Sequence, residues 1–251
     1  MRKTRFFIQF CLMTLPLFAF CQDKQYNIND TENFLLLRDG TLLKEGQFVK
    51  KQANILGENF QYANGTKIKL ADVKYYRTSE GYFGMYKVNA VTFRPATRIS
   101  VGAVELYERT VTSLQYNRAP ISGGMATYTR STSNVNYIAR PFGELKIMNY
   151  KNLKEAFVLD PAKEDQNAEI LKYLNKGNTK KWSKYGLTIA GIGALMTGAA
   201  MYTLGRTKDP SPSVVPTIVV GGTGFIAMFI GVNLHPEKSY IEALDEYNYA
   251  Y

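Results

Sequence analysis

Cysteine is almost missing from this 251-residue chain: two occur, Cys11 and Cys21, and both lie in the first 21 residues. A chain without that segment has no thiol, which excludes disulfide staples and thiolate chemistry and leaves packing to supply stability. Histidine is scarcer still, with His235 alone, placed before Pro236 at the end of an apolar segment. Without a second histidine or a cysteine, a zinc site lacks its preferred ligands. Phosphate-binding loops are missing too. In "GLTIAGIGALMTGAAMYTLG" (186–205), Gly191 and Gly193 match the first two glycines of a dinucleotide fingerprint, but Met196 stands where the third is required, and no Gly-Lys-Ser/Thr follows. No Asp or Glu lies between Lys184 and Arg206 to hold a ribose or a metal. The sequence thus points to no cofactor, no metal and no recognisable pairing of nucleophile and base.

What is present begins with "MRKTRFFIQFCLMTLPLFAFCQDKQ": three cations (Arg2, Lys3, Arg5), an apolar run from Phe6 to Phe20, then an abrupt change to polar residues. That order predicts a secretory signal over residues 1–21. Cleavage after Cys21 would put Ala19 and Cys21 at the two positions that need small side chains and leave Gln22 as the new terminus. Acylation of Cys21, giving a one-chain anchor, is the competing outcome, and the bulk of Phe20 argues against it. The apolar run is also short for an uncleaved anchor. The formal charge is +10; the leader supplies three of those positives, leaving +7. A basic balance often signals nucleic acid. In an exported protein the acidic partners at hand are instead lipid head groups and envelope polymers, or the charge is a solvated surface.

Residues 22–148 are predicted to form one exported antiparallel β-domain, a sandwich or partly open barrel, because short strand-like runs alternate with turn signals. "FLLLRDGTLLKEG" carries two apolar runs about Asp39-Gly40, "NFQYANGTKIKL" alternates about Asn64-Gly65, and "YRTSEGYFGMY" turns at Glu80-Gly81. Ile99, Val101, Val104 and Leu106 continue the alternation. "NRAPISGGMATYTRSTSNVNYIARPFG" is the least regular part and reads as a long loop or wide hairpin. Carboxylates such as Asp72, Glu105 and Glu108 sit in ordinary strand patterns, which solvent exposure explains better than catalysis.

A helical connector is predicted over 149–180. A short helix covers Tyr150 to Leu159, and a second starts at Pro161 behind an Asp160 cap, carries the stripe Ile170, Leu171 and Leu174, and stops at Gly177.

Two charge-free segments follow, 185–204 and 214–234, joined by "GRTKDPSPS". Twenty residues of helix span about 30 Å, the thickness of a bilayer's hydrocarbon core. The segments therefore predict a two-helix transmembrane hairpin and an α+β membrane protein whose partner is the lipid bilayer. The alternative is a pair of helices buried in a soluble core. Gly186, Ala190, Ala194 and Gly198 recur every four residues, and Gly221, Gly224, Ala227 and Gly231 offer a similar surface, so both stripes are expected to pack helix on helix within one chain or between copies. Trp182, Tyr185 and Tyr202 suit the interfacial aromatic belt. A cleaved signal places the β-domain outside, with Arg206 and Lys208 inside in agreement with the positive-inside rule; Lys180, Lys181 and Lys184 run against it. The tail 235–251 has Ile241, Leu244 and Tyr247 at helical spacing, as in a short surface helix.

With "NYKNLKE", "LKYLNKG", the glycine-rich hairpin and the tail "LDEYNYAY", the chain resembles a loosely defined group of exported, membrane-anchored proteins of Bacteroidota-type bacteria. The resemblance covers the leader and roughly the last hundred residues. It implies an envelope setting, and it carries no activity and no site residues. The sequence therefore leads to an expectation of a non-enzymatic anchored envelope protein in the inner membrane, its β-domain periplasmic and presented for protein partners or self-assembly, with no role in nucleic-acid binding. A hydrolase or transferase using β-domain carboxylates is the second expectation.

Overall fold

The computed structural model of the protein describes residues 31–54, 57–90, 92–117, 127–208 and 214–251. The predicted leader, the Gly123-Gly124 segment and most of the polar link after Lys208 lie outside the described residues.

Eleven strands come first among the described residues: β1 (Phe34–Leu37), β2 (Leu42–Lys44), β3 (Phe48–Asn54), β4 (Gly57–Tyr62), β5 (Lys67–Ile68), β6 (Val73–Thr78), β7 (Gly81–Lys87), β8 (Phe93–Ser100), β9 (Glu105–Asn117), β10 (Thr127–Ala139) and β11 (Lys146–Ile147). Eight of them make one antiparallel sheet in the order β11-β10-β9-β8-β7-β6-β1-β2, and β3-β4-β5 make a second. The three turns expected from Asp-Gly, Asn-Gly and Glu-Gly close β1–β2, β4–β5 and β6–β7, with Gly40, Gly65 and Gly81 at φ 88°, 87° and 136°. Only glycine reaches that region cheaply, so these turns are set by local chemistry.

The large sheet curls into a half-barrel. Tyr75 on β6 and Tyr107 on β9 belong to strands three places apart, a distance of about 14 Å in a flat sheet, yet their ring centroids are 6.0 Å apart. The hollow is filled by Phe34, Leu36, Tyr75, Tyr82, Tyr107 and Tyr137. Gly84 makes room there, since a Cβ at that position would lie 2.7 Å from Leu145 and 2.9 Å from the Tyr75 ring. The outer face is covered at both ends. Over β1, β6 and β7 the small sheet supplies Phe60 and Ile68, which close on Leu35, Val73, Tyr76 and Met85. Over β9 and β10, helices close on Val104, Leu106 and Ile138.

The helices of the chain are α1 (Tyr150–Ala156), α2 (Glu164–Lys208), α3 (Val215–Val232) and α4 (Pro236–Ala250), of which α1, α2 and α4 close on the sheet. Four expectations need correction here. First, Gly177 does not end a helix: α2 runs unbroken for 45 residues through both the connector and the first charge-free segment. A Cβ at Gly177 would collide with the Tyr240 ring, so the glycine serves close packing against α4. Second, Pro161 does not open α2. The Asp160 carboxylate accepts from the Ala162 amide at 2.9 Å and its carbonyl accepts from Lys163, which forms a turn and delays the helix to Glu164. Third, α1 stops at Ala156, because Phe157 turns extended and is buried, and the Val158 amide donates to the Tyr247 hydroxyl at 3.1 Å. Fourth, the tail forms the expected helix, but it is longer and docks more deeply than a short surface helix would. Tyr240, Ala243, Leu244 and Tyr247 of α4 are buried against α1, α2 and the sheet.

The alternation at 99–106 also divides: Ile99 and Val101 are exposed beside the β8–β9 turn, whereas Val104 and Leu106 are core. The irregular Ser/Thr-rich stretch supplies β10, paired with β9 over thirteen residues. Its strand pattern was masked by polar side chains on both faces.

Candidate functional site

A large, poorly covered apolar surface lies on α2 and α3. Both helices are long and apolar enough to cross a membrane, and 11% of the apolar window in each is buried. A helix pair in a soluble core would be mostly covered. Here Ile189, Met196, Ile218, Phe225 and Phe229 are more than half exposed. Three hydroxyls in this region are satisfied by their own helices: Thr197 donates to the Gly193 carbonyl at 2.9 Å, Thr203 to Ala200 at 2.9 Å and Thr223 to Val220 at 3.0 Å. Such bonds leave few polar groups in need of water.

Glycines let the two helices touch backbone to backbone. A Cβ at Gly191 would lie 2.6 Å from both the Gly224 carbonyl oxygen and the Met228 amide, and one at Gly224 would lie 2.7 Å from the Gly191 carbonyl oxygen and 2.8 Å from the Ala194 methyl. Gly198 rests on the Gly221 backbone, and Gly231 on Thr188. Of the residues expected at the contact, Ala194, Gly198, Gly221, Gly224, Ala227 and Gly231 are at least half-buried, whereas Gly186 and Ala190 are exposed. The reason is helical geometry. A step of four residues turns about 400°, so a row taken every four drifts about 40° per step, whereas a step of seven returns to within about 20°. Gly191 and Gly198, and Gly224 and Gly231, are each seven apart; that spacing was the signal in the sequence for Gly191, which the four-residue row passes over.

The hairpin is mounted firmly on the β-domain. Because Gly231 meets Thr188 and Gly221 meets Gly198, α3 runs antiparallel to α2 and delivers α4 back to the same end as the β-domain. There α4 is clamped on three sides. Tyr240 fills the notch at Gly177, and Lys180 donates to the Ser239 hydroxyl at 3.1 Å. Asn248 holds β9 by a pair of bonds, accepting from the Val104 amide at 3.0 Å and donating to its carbonyl at 2.8 Å, with Gly102 pressed against its side chain. The tail tyrosines do the rest: Phe157, Tyr247 and Tyr251 stack with centroids 4.4 Å and 4.7 Å apart, and the Tyr251 hydroxyl accepts from the Asp160 amide and donates to Asn167 at 2.7 Å. These contacts join sheet, α1, α2 and α4 in one core.

The β-domain carboxylates do not converge. Asp72 is exposed in a short turn. Glu105 points into the half-barrel, where Arg98 reaches it at 2.9 Å, Tyr107 donates to it at 2.5 Å and the Arg98 guanidinium lies 3.5 Å from the Tyr82 ring centroid. Glu108, an odd number of residues along the same strand, faces the other way. Burial pushes the Tyr107 and Tyr75 hydroxyls well above the ordinary tyrosine range, with neighbouring tyrosine and Glu105 charge adding to the effect. Between β10, β11 and α1 an open groove of about 270 Å³ holds Lys146 and Glu155, 3.0 Å apart. That bond and the Lys146 charge hold the Glu155 carboxyl below its usual range. No group of three or more metal-ligating side chains occurs among the described residues. Comparison with known protein families, with characterised proteins and with solved structures gives no match.

Proposed function

We propose that this chain is a non-enzymatic, membrane-anchored protein of the cell envelope, whose α2–α3 hairpin lies in lipid and holds an exported β-domain for binding or assembly. The observation that carries the reading is the uncovered apolar surface of two glycine-packed helices. In water such a surface would far exceed the few hundred Å² that soluble monomers leave as one apolar patch. Lipid removes that cost and adds none for the backbone, which is bonded within each helix. The antiparallel hairpin puts the β-domain and α4 on one side and the far ends of α2 and α3 on the other. With a leader ahead of the β-domain, that side is the periplasm and the anchor is the inner membrane. Because α4 clamps sheet and helices into one core, the β-domain is a fixed fitting on the membrane and not a module on a flexible tether. The surface best placed for a partner is the middle of the β9–β10 ribbon, where Thr110, Thr112, Ser131 and Thr132 are exposed and offer hydroxyls.

The test is fractionation of cells making the full chain. The protein is expected to stay with membranes through an alkaline carbonate wash, and its β-domain to resist added protease in intact cells but not in spheroplasts. A detergent-free, monomeric protein in the high-speed supernatant would overturn the anchor. Digestion in neither preparation until the membrane is breached would overturn the periplasmic assignment.

A further inference from the structure

Building on the lipid reading above, we propose that the junction of α2 and α4 binds the phosphate of anionic phospholipid head groups through Lys181, Lys184 and Lys238. These cations come from two helices and are brought to one level. The Lys180–Ser239 bond and the seating of Tyr240 on Gly177 set the first turn of α4 beside residues 177–184 of α2, so Lys238, exposed on that turn, lies at the level of the lysines of "TKKWSKY". Two further lysines of this band are engaged, Lys180 with Ser239 and Lys176 with Glu242 at 3.7 Å. Lys181, Lys184 and Lys238 have no ion pair among the described residues. Glu237 is the acid nearest in sequence to Lys238, and residues 176–185 contain none.

The band also sits at the right depth. Lys184 immediately precedes the charge-free segment and Pro236 follows α3 by four residues, so both helices leave the apolar layer at this level. Trp182 and Tyr185, 66% and 53% exposed, flank the lysines and present rings of the kind that settle among head groups. An ammonium is a compact, strongly hydrated point charge with three donors, and it binds phosphate as such. Head-group binding also gives a physical role to three lysines that lie on the side where the positive-inside rule disfavours them. Attraction of this kind amounts to roughly five-fold in relative affinity for each lysine near an anionic surface and is screened by salt.

Trp182 is the one tryptophan in the sequence, which makes it a reporter built into the site. The full chain is reconstituted in phosphatidylcholine vesicles that carry, at equal mole fraction, either brominated phosphatidylcholine or brominated phosphatidylglycerol, and quenching of Trp182 is measured. Stronger quenching by the phosphatidylglycerol, fading as sodium chloride is raised, is expected. The K181Q/K184Q/K238Q variant is expected to lose that preference while brominated phosphatidylcholine still quenches it, which shows that it remains inserted; K181R/K184R/K238R is expected to keep the preference. Equal quenching of the unaltered chain by both lipids would overturn the head-group site and would leave the anchor standing. No quenching by either lipid would overturn the anchor itself.

Discussion

Replacing Gly224 by alanine is expected to loosen the hairpin, whereas the same change at Gly222, two residues away, is not. A methyl at 224 would lie 2.7 Å from the Gly191 carbonyl oxygen, 2.8 Å from the Ala194 methyl and 2.9 Å from the Leu195 amide. Those distances fall short of ordinary contact by about 0.5 Å or more, and two of the three obstacles are backbone, which cannot rotate aside. The helices must therefore separate along the stretch where Gly191, Gly198 and Gly231 also meet their partners. Forced overpacking of this kind costs about 1–3 kcal/mol, against which alanine returns at most about 1 kcal/mol of helix propensity. At Gly222 a methyl meets nothing within 4 Å, so only the propensity term remains and the change is neutral or slightly stabilising. Reversible unfolding in mixed detergent micelles, followed by separation of a pair of labels on α2 and α3, reads the difference directly. Equal stability of the two variants would refute the claim that backbone contact at Gly191 and Gly224 holds the helices together.

Two further outcomes follow from the mount and the half-barrel. Asn248→Ala removes both bonds to Val104 and leaves a buried amide and carbonyl unpaired, at about 1–3 kcal/mol; amide exchange at Val104 should accelerate and α4 should become the first element cut by protease, while β1–β7 keep their protection. At high pH, Tyr75 and Tyr107 favour the folded state less. Their hydroxyls are raised above the unfolded value of about 10, so the unfolded chain releases protons first and stability is full below that pH and falls as pH rises through it. An absorbance titration should show these tyrosines ionising together with unfolding; their ionisation in a chain that stays folded near pH 10 would contradict the burial of the half-barrel interior.

How far the fold could be read in advance depended on the range of the forces involved. The turns at Gly40, Gly65 and Gly81 were legible because a positive φ is a demand on one residue, and Asp-Gly, Asn-Gly and Glu-Gly announce it. The two charge-free helices were legible because a run without charge is a property of consecutive residues. Gly177 looked like a helix end by the same local logic, yet it lies inside α2, since Tyr240, sixty-three positions later, occupies the space it leaves. Glu105 looked like any strand carboxylate and is buried with Arg98 and Tyr107, because the curl of the sheet turns one face of β9 inward. The stripe of small residues was visible, but its register was not: Gly186 and Ala190 fell outside the contact and Gly191 inside it, because a partner helix follows the average pitch and not a four-residue row. The sequence by itself determined the glycine turns of the sheet and which segments avoid charge, since both follow from neighbours along the chain. Only the tertiary structure decided that the tail fastens the β-domain to the hairpin, because Asn248 and Val104, or Tyr247 and Val158, become neighbours only once the sheet has curled and the helices have folded back.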